Sequence, residues 1–206
     1  MDRGKLITFE GIDGCGKSLM MKKLGQWLHR RGCPVVTTRE PGWGKMGQSI
    51  RRLLLDSAYG SVDERTEALL YAADRANHCA SFILPNLEEG KIVLCDRFFD
   101  STLAYQGYGR GLDMPTLLGL QRFAIGDMLP DCTILLRLPV EQAFSRLSGA
   151  KDRLEQENRD FFQRVADGYD ELAAKEPKRF VVIDSSGEIE KVFSNVVQAV
   201  IPLIKD

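Results

Sequence analysis

Gly11-Ile12-Asp13-Gly14-Cys15-Gly16-Lys17-Ser18 sets a glycine, four residues and then Gly-Lys-Ser in one run, the spacing of a phosphate-wrapping loop. Such glycines let the backbone turn tightly and aim successive N–H groups at an anion. Lys17 is then placed to reach the β- and γ-phosphates of a nucleoside triphosphate, and the Ser18 hydroxyl to bind Mg²⁺. Further on, the apolar run Ile92-Val93-Leu94-Cys95 leads into Asp96-Arg97. An apolar strand ending in Asp is where phosphoryl transfer keeps the acid that orders Mg²⁺ and its waters, and the neighbouring Arg97 can grip a second phosphate. Tyr71 and Arg75 are spaced i, i+4 on a helical run, so a ring and a guanidinium share one face, an arrangement suited to a base and its edge. On spacing alone, a core tyrosine with an incidental arginine is the better account of that pair. Ser101 to Gly107 is rich in groups that could read a sugar or base.

The elements that must position these residues alternate. Strands are expected at Leu6–Phe9, Pro34–Thr38, Ile92–Cys95, Cys132–Leu136 and Phe180–Asp184. Helices are expected at Leu19–Arg31, Met46–Leu55, Asp63–Glu88, Met114–Ile125, Val140–Leu147, Asn158–Lys175 and Ile189–Ile204. That order argues a doubly wound parallel sheet of the α/β class, whose ligands gather at the carboxyl ends of the strands. Arg39-Glu40-Pro41-Gly42 leaves such an end. Of Arg51 and Arg52, helical spacing lets at most one face a site. Gly107 to Gly111, carrying Arg110, reads as a flexible stretch. The polar run Ser148-Gly149-Ala150-Lys151-Asp152-Arg153 suits a mobile lid, and an ordinary solvated turn fits it equally well.

Composition narrows the class. With 206 residues the chain is expected to form one domain with a real core. Lys+Arg is 28 against Asp+Glu 29, a net charge of -1 that gives no general attraction to nucleic acid or to an anionic membrane, so neither is expected as a partner. Five scattered cysteines (Cys15, Cys33, Cys79, Cys95, Cys132), without a C-x-x-C pair, read as reduced thiols and a cytoplasmic setting. No signal peptide or apolar run of membrane-spanning length is read in the sequence.

Taken together, the Gly11–Ser18 loop, Arg39-Glu-Pro-Gly42, Leu70-Tyr-Ala-Ala-Asp-Arg75, Asp96-Arg-Phe98, Ala104-Tyr-Gln-Gly107 and Arg153-Leu-Glu-Gln156 with the Phe161 to Tyr169 helix resemble, in order, the motifs of thymidylate kinases. The resemblance implies a P-loop kinase fold of three layers, a five-stranded parallel sheet flanked by helices. It implies one nucleoside monophosphate kinase domain over residues 1–206, with a lid at about 148–156. The implied reaction moves the ATP γ-phosphate to dTMP, giving dTDP and ADP for dTTP synthesis, with Mg²⁺, in a homodimer whose surface the 63–88 helix would supply.

Carried over residue by residue, ATP would lie on Gly11, Asp13, Gly14, Cys15, Gly16, Lys17 and Ser18, with Arg146 beside adenine and Mg²⁺ on Ser18 and Asp96. Asp13 would hold the deoxyribose 3′-hydroxyl, Arg51 and Arg97 the dTMP phosphate, and Arg75 the thymine O4. Tyr71 stands where the family usually stacks a Phe on thymine, Ser101, Thr102 and Gln106 would line the base pocket, and Tyr105 would exclude a ribose 2′-hydroxyl. Catalysis would fall to Lys17, Asp96, Arg97 and the lid arginine Arg153, as in bacterial-type members whose phosphate loop lacks an arginine.

This chain departs from the pattern at Trp43-Gly44, where Gly-Thr is usual, at Leu19, where a second hydroxyl is usual, and at Arg137, where an Asp is common. Its lid is thin in arginine, with Lys151 the near neighbour of Arg153. A signalling GTPase would need an Asn-Lys-x-Asp motif that the sequence lacks. A kinase for another nucleotide or a nucleoside shares the scaffold but differs in the acceptor pocket, where Tyr71, Arg75 and Tyr105 favour dTMP. A module that only binds is disfavoured by Asp96 and the lid cation.

Overall fold

Leu6, Ile7, Thr8, Phe9 and Glu10 are all fully buried, so both faces of the strand they form are covered. In the computed structural model, which describes residues 3–147 and 152–204, this strand is β1 (Leu6–Glu10). It stands at the centre of a five-stranded sheet with β2 (Val35–Arg39), β3 (Ile92–Asp96), β4 (Cys132–Arg137) and β5 (Phe180–Asp184). The strand order is β2-β3-β1-β4-β5 and every pair is parallel. The α/β parallel sheet flanked by helices expected from the sequence is the fold found. Strand order reverses at β1, which opens a crevice beyond its carboxyl end. Phe9 lies opposite Asp96, and Asp96 opposite Arg39, so β1, β3 and β2 finish level at that crevice.

α1 (Lys17–Arg30) buries Met20, Leu24 and Leu28 and packs against β1, β2 and β3 and against α9 (Ile189–Val200). α8 (Arg159–Lys175) buries Phe161, Phe162, Val165, Tyr169 and Leu172 against β4, β5 and residues 103–109. α2 (Gly44–Leu55) packs on α3 (Glu64–His78), and α3 on α6 (Met114–Ile125). The Asp63 carboxylate caps α3 by accepting from Arg65 N at 3.0 Å and Thr66 N at 3.4 Å. The run expected as one helix over 63–88 is interrupted by a π-helical turn, Cys79–Ile83, before α4 (Leu84–Glu88). Pro85 lacks an N–H and its ring crowds the carbonyl four residues back, and the wider turn makes room for it.

One local expectation is corrected. Gly107 to Gly111 is no flexible stretch: α5 (Phe99–Thr102) runs on as a π-helical segment, Leu103–Gly109, that is largely buried. Gly109 is there for close packing, since a Cβ on it would stand 2.7 Å from the Phe161 ring and 2.9 Å from Val165. α7 (Val140–Arg146) follows β4. Residues 148–151, with Lys151 and the first half of the expected lid, lie outside the described residues. No helix among the described residues is long and apolar enough to cross a membrane.

Candidate active site

The loop after β1 takes its shape from glycines at φ 132° (Gly11), 84° (Gly14) and 97° (Gly16). At Gly14 close approach adds to the demand, because a Cβ would come within 2.5 Å of the Ala143 carbonyl oxygen. Lys17 Nζ lies inside the turn, donating to Gly11 O and Ile12 O at 3.0 Å each, with Asp13 Oδ1 3.9 Å away. Cys15 is buried, its Sγ 3.8 Å from Lys17 Nζ. Ser18 Oγ donates to Asp96 Oδ2 at 2.8 Å, so the two residues expected to hold Mg²⁺ already meet across the β1–β3 crevice. A hydroxyl and a carboxylate are hard oxygen donors, and the pair fits that ion.

Arg97 follows Asp96 with φ 67°, the one positive φ outside glycine among the described residues. That strained geometry turns its guanidinium back under the loop. There Nη2 donates to Asp13 Oδ1 (2.7 Å) and Tyr105 OH (3.1 Å), and Nη1 to Gly11 O (3.1 Å), Ser101 Oγ (3.1 Å) and Tyr169 OH (3.3 Å). Burial pushes the Asp13 carboxyl up, but Arg97 and then Lys17 outweigh it and hold it at about 2. Asp13 is therefore an acceptor throughout the neutral range.

Glu10, which the sequence reading passed over, sits beneath this group. It accepts from Phe98 N (2.7 Å), Ser101 Oγ (2.6 Å) and Tyr169 OH (2.8 Å). Burial, then Asp100, push it up to about 7, against the pull of Ser101 and Arg97. The available signal was a carboxylate closing an apolar strand.

Asp13, Arg51, Tyr71, Arg75, Arg97, Ser101, Thr102, Tyr105 and Gln106, the whole expected substrate set, line one cleft. Glu40, Pro41, Leu55, Asp152 and Leu154 complete its wall without having been expected there. Arg75 is almost wholly buried and fixed by Glu40 Oε2 (2.7 Å), which also binds His78 Nδ1 through Oε1 (2.9 Å). Of the neighbours Arg51 and Arg52, Arg51 reaches the cleft and bonds Pro41 O at 3.0 Å, while Arg52 is exposed beside Ser49.

A second, more open cleft is lined by Gly14, Gly16, Lys17, Ser18, Leu19, Asp96 and Arg146. It shares Asp13, Glu40, Arg51 and Arg97 with the first, so the two meet at a seam of two arginines and two acids.

Arg153 is the member of the expected catalytic set that the structure holds elsewhere. Its backbone N–H bonds Leu55 O (3.1 Å), Nε bonds Leu54 O (2.8 Å), and Nη2 pairs with the buried carboxylate of Glu67. An interior carboxylate draws a cation to itself. Arg146 lines the open cleft while donating to Ser185 O at 3.3 Å.

Two departures gain a physical account. Trp43 stacks on His78 (centroids 5.6 Å apart) and packs on Phe82 (5.1 Å). Arg137, at the end of β4, pairs with Asp170 of α8 at 2.7 Å. All five cysteines are free thiols.

The family model described as thymidylate kinase matches residues 9–196. The chain is similar to the thymidylate kinase of Pelotomaculum thermopropionicum, 48% identical over 200 residues that cover 96% of this chain and 93% of that one. It is likewise 48% identical to the thymidylate kinase of Nostoc punctiforme over 202 residues, 96% of this chain and 95% of that one. Among solved structures, thymidylate kinase from Ehrlichia chaffeensis superposes with a TM-score of 0.76 at 34% identity, over 95% of this chain and 98% of that one.

Proposed function

The chain belongs to the thymidylate kinase family, a phosphotransferase acting on dTMP, and from that premise we propose how its residues divide the reaction. ATP lies in the open cleft, with its phosphates on the Gly11–Ser18 loop. dTMP occupies the closed cleft. The observation that carries this reading is the seam: Arg97, Arg51 and Asp13 border both clefts, where an acceptor phosphate and a γ-phosphate must meet.

Lys17 exchanges the Gly11 and Ile12 carbonyls for the β- and γ-phosphates, and its charge offsets theirs through the transfer. Ser18 and Asp96 would hold Mg²⁺, which would supply positive charge against the phosphates. Arg97 and Arg51 fix the dTMP phosphate in line with the donor. Holding two reactants in attacking geometry is itself a large part of such catalysis, because the transition state is loose and asks little covalent chemistry of the protein. Asp13 accepts the 3′-hydroxyl, and Tyr105, whose OH donates to Asp13 Oδ2 at 3.2 Å, stands against the sugar and leaves a 2′-hydroxyl no room. Tyr71 stacks on the thymine, with Arg75, Thr102, Ser101 and Gln106 around its edge.

The transferred group also calls for a mobile cation. Arg146 already lines the donor cleft and takes that role here. Arg153 could share it only by leaving Glu67 and Leu54. Two copies of the chain pair, in a cytoplasmic homodimer.

ADP release measured against dTMP, dUMP, dCMP, the ribonucleotides and thymidine tests the reading. dTMP is expected to be the preferred acceptor, and a preference for thymidine, which brings no phosphate for Arg51 and Arg97, would refute it.

A further inference from the structure

Glu67 of α3 has no exposed side-chain surface, and a polar group so placed needs its hydrogen bonds met inside the protein. Its Oε2 receives Arg153 Nη2 and, at 3.5 Å, Arg110 Nη2. Its Oε1 receives the Gln106 amide nitrogen at 2.7 Å. A carboxylate facing two guanidiniums offers acceptors only, so of the two ends of the Gln106 amide it can take only the N–H end. The tautomer-like ambiguity of a glutamine is thereby removed by chemistry. The Gln106 oxygen is the other end of that amide, on a side chain lining the acceptor cleft.

Arg75 lines the same cleft with a complementary remainder. Its Nε is spent on Glu40, its Nη1 hydrogens on Thr102 and Gln121, and one Nη2 hydrogen on Phe98 O. The other Nη2 hydrogen is left to donate. Among groups of fixed direction the cleft thus shows a base a donor from Arg75 and an acceptor from Gln106, beside the Ser101 and Thr102 hydroxyls, which can turn to suit either base. The imide edge of thymine or uracil shows a carbonyl oxygen beside an N–H, which matches. The cytosine edge shows an amine beside a bare ring nitrogen, which is the inverse.

We infer that Glu67 is a specificity-determining positioning residue, setting the Gln106 amide so that the cleft takes a pyrimidine imide and refuses cytosine; the inference rests on the dTMP reading above. Nothing on Glu67 touches the base itself. Its effect passes through Gln106, and Arg153 and Arg110 keep the carboxylate in place.

The test compares kcat/KM for dTMP and dCMP in the wild type and in Glu67→Gln. An amide at 67 can give or accept a hydrogen bond, so Gln106 is free to turn either end to the base. The dTMP-to-dCMP ratio is expected to fall by about tenfold or more, mainly through a higher KM for dTMP, with kcat for dTMP within about threefold. A ratio that stays put, including one in which both acceptors weaken alike as a general packing defect would produce, overturns the inference. In a Gln106→Ala background Glu67→Gln should no longer move the ratio, and a ratio that still moves overturns it too.

Should the single variant fail to fold, Glu67→Gln with Arg153→Gln replaces the buried ion pair by a neutral one and carries the same expectation, because any donor-side loss cancels between acceptors. A wild type that does not phosphorylate dTMP defeats the functional reading. A wild type that does, with a ratio indifferent to Glu67, defeats this inference alone.

Discussion

The proposed reading gives the cation on the transferred group to Arg146, where the resemblance implied Arg153, and paired alanine variants test that assignment. In the structure Arg153 makes one side-chain hydrogen bond to a carbonyl, Leu54 O at 2.8 Å, and one to the buried carboxylate of Glu67. A neutral bond contributes about 1 kcal/mol and one to a charged partner about 1.5–3 kcal/mol, so freeing the side chain costs about 2.5–4 kcal/mol. At about 1.4 kcal/mol per factor of ten, a free Arg153 is populated about once in 60 to 700 molecules before any ligand compensates. Arg146 is held only by two long bonds to a carbonyl, Ser185 O at 3.3 Å, and lines the donor cleft as it stands. Arg146→Ala is therefore expected to lower kcat by about 10²–10³, the usual cost of removing one donor to a developing charge.

Arg153→Ala should change kcat by less than about threefold, which is under 1 kcal/mol of barrier. It should instead raise the KM for dTMP, because Asp152 and Leu154 on either side of it form part of the acceptor wall. It should also lower the melting temperature by about 4–12 °C, from about 2–3 kcal/mol lost when the buried Glu67 carboxylate keeps Arg110 as its remaining cation, at about 2–4 °C per kcal/mol for a chain of this size. Steady-state kinetics with both substrates varied, together with a thermal melt, reads all three. A loss near 10³ in kcat for Arg153→Ala with dTMP affinity and melting point untouched would show that the arginine leaves Glu67 in every turnover, and the assignment to Arg146 would fall.

Ser18→Ala should raise the Mg²⁺ concentration needed for half-maximal rate more than it weakens ATP binding, since Leu19 brings no replacement hydroxyl; full activity at low Mg²⁺ would place the metal elsewhere. Gly109→Ala should destabilise the fold by about 1–3 kcal/mol in a denaturant titration, because the new methyl meets Phe161 and Val165, and an unchanged midpoint would mean that helix 8 gives way freely. Glu10 holds its proton up to about 7 in the folded chain against 4.5 as the reference value, so the folded state binds more protons than the unfolded one in between. Its contribution is fully present below pH 4.5 and is lost as pH rises through about 7, and Glu10→Gln should flatten that fall in stability; equal pH slopes for the two proteins would remove Glu10 from the account.

The sheet was legible because its strands are short apolar runs with turn residues at their ends, and because Gly11 to Ser18 fixes a strand before it and a helix after it. The π-helical segment was not. Leu103 to Gly109 carries two expected site groups, Tyr105 and Gln106, and two glycines that read as breakers, and only the packing of Phe161 and Val165 against Gly109 shows why a small residue sits in a buried helix. Tyr71 and Arg75 on α3 were not legible from spacing, which favoured a core tyrosine with an incidental arginine; the resemblance named them, and they line the cleft with Arg51, Tyr105 and Gln106. Trp43 and Arg137 were opaque too. Their partners, His78 and Phe82 for one and Asp170 for the other, lie more than thirty residues away, and no local spacing announces them.

What motif reading misses most is the layer behind the ligand-facing groups, and that layer has a common chemistry. Glu40 holds Arg75 directly, Glu67 holds Gln106, and Glu10 holds Ser101 and Tyr169, both of which bond Arg97. Each is a buried glutamate on an element that reaches the crevice, and each keeps a recognition group in a single geometry before ligand arrives. A guanidinium on a long flexible stem loses rotamer freedom of about 1.5–2 kcal/mol on being fixed, and fixing it in advance spares the bound complex that cost. Arg51 is the exception that defines the rule. Among the described residues its only hydrogen-bond partner is the Pro41 carbonyl, and no carboxylate neutralises it. Of the arginines lining the acceptor cleft, Arg75 and Arg97 each pair with a carboxylate, so in the proposed reading Arg51 brings the acceptor phosphate an unmatched charge and Arg97 brings it direction.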